Sequence, residues 1–186
     1  MYIMIIGLVI LGLIVIVGLW LVATYNKLVS MRNDTEEAFA TIDVFLKKRF
    51  DLIPNLVETV KGYASHERTT LENVTNARGL GLNAQTTEDK INADQMLTGA
   101  LKSLFAVAEA YPDLKANTNF LDLQKQLQKV EEDIAGARRY YNAVIKVYNI
   151  KTEVFPSSIV ASLFHFGRKP LYAIDEEQKE NFKVQF

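Results

Sequence analysis

The chain has 186 residues, 49% hydrophobic and 23% charged, and its formal net charge is -1. One domain of ordinary size fits this length. The balance of 21 basic against 22 acidic residues excludes a generally basic nucleic-acid-binding protein, because no surplus of cations is available to replace phosphate counterions. The chain has no Cys, which excludes disulfides, thiolate metal sites and thiol nucleophiles.

The first 26 residues differ chemically from the rest, because all charged residues lie from Lys27 onward. Residues 2–22 are almost continuously apolar, and as a helix they span about 31 Å, enough for a hydrocarbon core of about 30 Å. We therefore predict a single transmembrane anchor in residues 1–26, with the lipid bilayer as its partner. A cleaved signal peptide would need a basic start, a shorter apolar stretch and a small-residue cleavage site, and the segment has none of them.

The distribution of Lys and Arg gives only a small bias in membrane orientation. No basic residue precedes the anchor, whereas Lys27 and Arg32 closely follow it. Such asymmetry favours the cytoplasmic side for the following domain, but two cations leave the side open.

Residues 27–150 show helical periodicity throughout, with two apolar seams at heptad spacing. The seam in the later part of the chain alternates three and four residues without interruption: Phe120, Leu123, Leu127, Val130, Ile134, Ala137, Tyr141, Val144 and Tyr148. The earlier seam comprises Phe39, Ile42, Leu46, Ile53, Leu56, Val60 and Tyr63. It keeps the same alternation only if Arg49 fills the position between Leu46 and Ile53.

Arg49 and Pro54 each leave two interpretations of the earlier seam. Burial of an unpaired guanidinium is costly, so Arg49 either extends to solvent or meets a carboxylate, for which Glu131 and Asp133 are candidates. Alternatively, the helix turns slightly at Pro54 and leaves Arg49 at the edge. Pro54 lacks a backbone donor, so it predicts either a kink or a restart with Asp51 as the N-cap.

The remaining boundaries follow from turn residues. The next helix is expected to end at Gly79 and Gly81. A third helix is expected over about 88–111, and the long heptad helix begins near Thr118. Residues 151–186 are predicted to be an irregular aromatic tail with one short helix opened by Ser157 or Ser158. The alternation at 184–186 is typical of either a strand edge or an anchoring tail.

Long amphipathic helices cannot hide their apolar stripes alone, and short connections make neighbours antiparallel. We predict an all-α protein with a single N-terminal transmembrane helix followed by an elongated antiparallel helical bundle over residues 27–150. Heptad spacing also predicts coiled-coil packing.

The sequence offers little for catalysis or cofactor binding. Its two histidines, His66 and His165, do not complete a Glu-x-x-His motif, because residue 63 is Tyr and residue 162 is Ser. Motifs for phosphate loops, hydrolase elbows and zinc proteases are missing. We therefore expect no catalytic, cofactor-binding or metal-binding residues and no enzymatic activity. An enzyme using Asp43, Asp51 or Glu58 would need a pocket and strongly shifted carboxylate pKa values.

Residues 42–67 read IDVFLKKRFDLIPNLVETVKGYASHE, and this string resembles the signature of the LemA family. Tyr25-Asn26 after the apolar helix, Ala77-Arg78, Tyr140-Tyr141-Asn142 and Tyr148-Asn149 agree with the family layout. The C-terminal end departs from it.

The resemblance implies a single-pass protein of the bacterial cell (inner) membrane, with an elongated antiparallel helical bundle and no established enzymatic reaction. It also marks eight candidate structural or partner contacts: Asp43, Arg49, Asp51, Pro54, Asn55, Glu58, His66 and Glu67.

Two functions follow as hypotheses. The first is a non-enzymatic membrane scaffold that self-associates through its heptad seams into a homo-oligomer, unless both seams are used inside one monomer. The second is a monomeric membrane-tethered adaptor or signalling module that binds an unidentified protein partner.

Overall fold

The computed structural model describes residues 1–172; the end at residues 184–186, predicted to be a strand edge or an anchoring tail, lies outside them. All regular structure within the described part is helical, which confirms the all-α prediction. Its helices are α1 (Tyr2–Lys61), α2 (Arg68–Asn83), α3 (Thr87–Ala108), α4 (Pro112–Lys115), α5 (Thr118–Glu153) and α6 (Ser157–Leu163).

These helices form two compact units. We call Met1–Ala38 together with residues 140–172 the anchor unit, and Phe39–Arg139 the bundle unit. Helices α1 and α5 each contribute to both units, and α6 belongs to the anchor unit.

The first third of α1 is the predicted apolar segment. It is long and apolar enough to cross a membrane, and its most apolar window is not buried against the rest of the chain. A core helix of a soluble domain would instead be covered. The prediction of one N-terminal helix that could span a membrane is confirmed.

The last part of α1 shows that Pro54 neither ends the helix nor starts a new one, because α1 continues to Lys61. A proline inside a helix deprives the carbonyl four residues earlier of its usual donor. That carbonyl belongs to Phe50, and Nε of Arg78 on α2 donates to it at 2.8 Å. A side chain from a neighbouring helix therefore replaces the hydrogen bond that Pro54 removes.

Helix α2 packs against α1 at the same residue. The prediction that α2 ends at Gly79 and Gly81 is wrong, because α2 runs on to Asn83. Gly81 is buried, and a Cβ placed there would collide with the tip of the Phe50 ring, with Cε1 only 2.9 Å away. Gly81 is thus required for close packing and does not end the helix.

The predicted seams are mostly buried inside the units. At the two ends of the earlier seam, Ala38 and Ala64 are buried in place of Phe39 and Tyr63. In the anchor unit, Ile145 is buried in place of Val144. These shifts of one residue follow from the 3.6-residue period of a helix, which drifts from a strict heptad.

The core of the anchor unit joins α1, α5 and α6. Its buried cluster contains Leu28, Met31, Tyr148, Val160, Ala161 and Phe166, with Trp20 and Leu21 packed against it. The packing therefore begins at the end of the apolar segment of α1.

We expect Gly81→Ala to destabilise the protein by about 1–3 kcal/mol, because the new methyl group overpacks against Phe50. Gly79→Ala is the matched control on the same helix, since no atom lies within 4 Å of the place that a Cβ would take there. It should stabilise the protein by up to about 1 kcal/mol through helix propensity. Denaturant unfolding followed by circular dichroism in mild detergent measures both; equal effects would contradict the packing role of Gly81.

We expect Arg78→Met to cost about 1–3 kcal/mol, because it leaves the Phe50 carbonyl without its donor. In a Pro54→Ala background, the alanine restores the backbone N–H, so the same Arg78→Met change should cost much less. Arg68→Met, which removes an exposed arginine of α2, should change stability by under about 1 kcal/mol. Additive effects of Arg78→Met and Pro54→Ala would show that the two residues are not coupled.

Candidate functional site

The most buried charged group of the bundle unit is the carboxylate of Asp94 on α3, whose side chain is 0% exposed. Its Oδ1 accepts a hydrogen bond from Nη1 of Arg49 on α1 at 2.8 Å, and its Oδ2 accepts one from Nη2 of Arg138 on α5. Nη2 of Arg49 lies 3.0 Å from Oε2 of Glu131 on α5. Two arginines and two carboxylates therefore connect three helices.

This network shows that Arg49 meets carboxylates, one of the alternatives that the sequence left open for it. Its side chain is 5% exposed, so it neither reaches solvent nor lies at the edge of the bundle. Of the two predicted partners of Arg49, Glu131 forms the ion pair. The second carboxylate beside Arg49 belongs to Asp94, which was not predicted. Thr98 adds a hydroxyl that accepts from Nη1 of Arg49 at 3.0 Å.

Asp94 and Arg138 are the residues that sequence reasoning missed, although a signal for Asp94 existed. The inner face of α3 includes Ile91 and Leu97, and a helical stripe with that spacing passes through position 94. A polar residue at an apolar position of α3 matches the guanidinium at an apolar position of α1. Two such exceptions in neighbouring helices indicate a buried pair.

Asp43 of the predicted set also makes an ion pair in the bundle unit. It accepts from Nζ of Lys90, and the same ammonium group lies 5.7 Å from the centre of the Phe39 ring. The pair stands at the rim of an open depression of about 370 Å³ whose lining includes Phe50 and Gly81. The depression is lined mainly by apolar side chains at the α1–α2 contact.

Four further residues of the predicted set share one exposed face of α1: Asp51, Pro54, Asn55 and Glu58. Their spacing of i, i+3, i+4 and i+7 places them along one side of a helix. Asn55 accepts a bond from the Thr59 hydroxyl through its backbone carbonyl at 2.8 Å, and Oε1 of Glu58 lies 3.7 Å from Nζ of Lys61. We call these four residues the signature face.

His66 and Glu67 lie in the connection from α1 to α2. His66 is exposed. Oε1 of Glu67 accepts from the Tyr111 hydroxyl at 3.1 Å, and this hydrogen bond raises the pKa of Tyr111. Nearby, the Tyr63 hydroxyl accepts from Nδ2 of Asn117 at 2.9 Å. These bonds join the chain before α2 to the chain around α4.

Two asparagines on α5 bind the backbone of the segment after α6 in the anchor unit. Asn149 donates to the Lys169 carbonyl and accepts from its N–H, both at 2.9 Å. Asn142 makes the same pair of bonds to Tyr172, at 2.9 and 2.8 Å. The asparagines are seven residues apart, so they present side-chain amides on the same side of α5 to an extended segment.

Comparison with known proteins shows the family to which the chain belongs. The sequence model of the LemA family matches residues 38–186, most of the chain. The chain belongs to the LemA family. The match includes the buried ion network, the signature face and both asparagines of α5.

Relatives of this LemA-family chain include proteins of two names. It is 25% identical over 174 residues to magnetosome protein MamQ 2 of Paramagnetospirillum magneticum, covering 80% of this chain and 64% of that protein. It is 28% identical over 160 residues to protein LemA of Metamycoplasma hominis, covering 83% of this chain and 71% of the relative. Magnetosome protein MamQ of Magnetospirillum gryphiswaldense is 22% identical, with coverage of 80% and 64%. The chain thus matches just under two thirds of the length of each MamQ protein.

The geometry of the LemA-family network suits it to fixing helices in register. Asp94 accepts charged hydrogen bonds from Arg49 and Arg138, and bonds of this kind require specific geometry. Glu131 adds ion pairs to the same two guanidinium groups. Within residues 1–172, no group of three or more His, Asp or Glu side chains is arranged to hold a metal ion.

We expect Asp94→Asn to destabilise the protein by about 3 kcal/mol, because two guanidinium groups lose the charge between them. Glu72→Gln is the matched control: it removes one carboxylate charge from an exposed pair with Arg68 and should cost under about 1 kcal/mol. The measurement is denaturant unfolding of the full-length protein in mild detergent. Equal losses for the two variants would show that burial does not determine the importance of Asp94.

Proposed function

We propose that this LemA-family chain is a non-enzymatic, membrane-anchored scaffold that self-associates through an exposed apolar stripe of α5. We further propose that it is a single-pass protein of the bacterial cell membrane, with the bundle unit on the cytoplasmic side, as the basic residues after the span favour. The proposal is supported by the exposed faces of the anchor unit.

The two seams identified in the sequence are mostly buried within one chain, which leaves little of their surface for association. The second half of α5 and the residue that follows it have another apolar face, which we call the α5 stripe: Tyr140, Ala143, Val147, Ile150 and, just after α5, Val154. Its four large side chains are between 44% and 59% exposed. The opposite face buries Tyr141, Ile145 and Tyr148, so this part of α5 is apolar on two sides.

A second copy of the chain is the occupant that best fits the α5 stripe. The stripe repeats with spacings of three, four, three and four residues, which is the pattern that two like helices use to interlock side chains. In a two-fold symmetric dimer, the same patch serves both partners. Copies anchored in one membrane share an orientation and a small volume, so that a short stripe is sufficient.

We expect Val147→Glu combined with Ile150→Glu to convert an oligomer into a monomer, because two carboxylates cannot be buried unpaired in the contact. Light scattering of the full-length protein in mild detergent gives the mass. Leu80→Glu is the control, since Leu80 on α2 of the bundle unit is as exposed as Ile150. It should leave the mass unchanged.

The absence of Cys from the chain allows a second readout in native membranes. Single cysteines at Val147 and Ile150 should form disulfide-linked dimers on mild oxidation, whereas a cysteine at Leu80 should not. A monomeric mass over a wide concentration range, without crosslinks at either position, would contradict the scaffold.

The second candidate function, a monomeric adaptor that binds another protein, is favoured by the signature face. Asp51, Pro54, Asn55 and Glu58 present two carboxylates and an amide from one exposed side of α1. Under this alternative the protein is monomeric, and Asp51→Ala with Glu58→Ala should abolish capture of a partner from the native membrane without lowering stability.

A further inference from the structure

The anchor unit has an uncharged apolar surface apart from its candidate membrane span. Residues 154–167 contain no Asp, Glu, Lys or Arg, the longest such run after the first 26 residues. Basic residues lie on either side, at Lys151 and at Arg168 and Lys169. The run includes α6, so α6 itself carries no charge.

Large apolar side chains in this run point away from the core. Phe155, Ile159, Leu163 and Phe164 are between 49% and 80% exposed, and we call them the α6 patch. Ile159 and Leu163 lie one helical turn apart on α6. The buried residues of α6 are Ser157, Val160 and Ala161, so α6 uses one side for the core and leaves the other open.

Contacts within the anchor unit fix the level of Phe164, the last residue of the α6 patch. The ring of Phe164 lies 4.7 Å from that of Tyr25 on α1, centre to centre. The Phe166 ring lies 5.7 Å from Tyr25, and the cluster that contains Phe166 also packs against Trp20 and Leu21. The chain around α6 is therefore packed against the end of the apolar segment.

This level corresponds to the boundary of a bilayer. Tyr25 lies three residues after the apolar run ends at residue 22, or about 4.5 Å along the helix. The headgroup layer on each side of a membrane is roughly 5–7 Å thick. Tyr25 and Phe164 thus lie at headgroup level when residues 2–22 cross the membrane, and aromatic side chains favour that level.

We propose that the α6 patch inserts into the interfacial layer of the same bilayer that α1 crosses, and so forms a second lipid contact. Phe155, Ile159, Leu163 and Phe164 would enter the boundary between headgroups and acyl chains. Exposed Phe, Ile and Leu side chains are the residues that interfacial segments bury at that depth, and Lys151 is a flanking cation for the phosphates above them. Arg168, the other flanking cation, lies 3.3 Å from Glu153. The proposal does not depend on self-association.

The test measures the membrane depth of spin-labelled single cysteines, which the Cys-free chain allows without further substitutions. Full-length Ile159→Cys, Leu163→Cys and Ser162→Cys are reconstituted separately into vesicles of phosphatidylcholine and phosphatidylglycerol. Leu13→Cys in the apolar segment is the lipid reference. Asp34→Cys, exposed on α1 of the same unit, is the water reference, because it lies about 18 Å beyond residue 22.

We expect labels at positions 159, 162 and 163 to relax with oxygen, which concentrates in lipid, and to be protected from a water-soluble nickel complex. The label at position 34 should show the reverse preference. Ser162→Cys removes no apolar side chain, and position 162 is exposed, so its result stands where the loss of Ile159 or Leu163 itself weakens contact with lipid.

Two results would overturn the proposal. Nickel accessibility at positions 159, 162 and 163 equal to that at position 34 would place α6 in water. Protection from both reagents would show that protein, such as a second copy, covers the patch in place of lipid.

Discussion

The hydrogen bond from Arg78 to the Phe50 carbonyl supports the continuity of α1 through Pro54, on which the core of the bundle unit depends. Pro54 removes the donor that this carbonyl would have had, and Arg78 supplies another at 2.8 Å. The helix therefore runs unbroken from Tyr2 to Lys61. A break at Pro54 would have released the last two turns of α1, which bury Leu56 and Val60. One helix thus provides the apolar span and parts of both cores.

The Asp94 network imposes a second constraint, the register of three helices. Burial of charge by itself seldom adds to the free energy of unfolding. Apolar residues of similar volume often pack at least as well as a buried ion pair. What Asp94 adds is geometry: its two oxygens face guanidinium groups from α1 and α5. Apolar seams at heptad spacing tolerate a slip along the helix, whereas a carboxylate between two arginines does not.

The sequence predicted the helices well, because apolar periodicity and turn residues act locally. The start of α5 at Thr118 and the short α6 were expected from such signals. Contacts between distant residues were harder to foresee. Gly81 looks like a terminator until the Phe50 ring is placed against it, 31 positions earlier in the chain. The sequence shows Arg49 as a charged residue at an apolar position of the seam. Only the packing of α3 against α1 shows that Asp94 is its partner.

In the proposed assembly, the two exposed apolar surfaces of the anchor unit, the α5 stripe and the α6 patch, would reinforce each other. A single span leaves the attached domain free to rotate about the membrane normal and to tilt. Contact of the α6 patch with the interfacial layer would limit the tilt and hold the α5 stripe at a fixed height above the bilayer. Copies restrained in this way lose less orientational freedom when they associate. Under the proposed self-association, a stripe of five positions, which is short for helices free in solution, would be sufficient at a membrane.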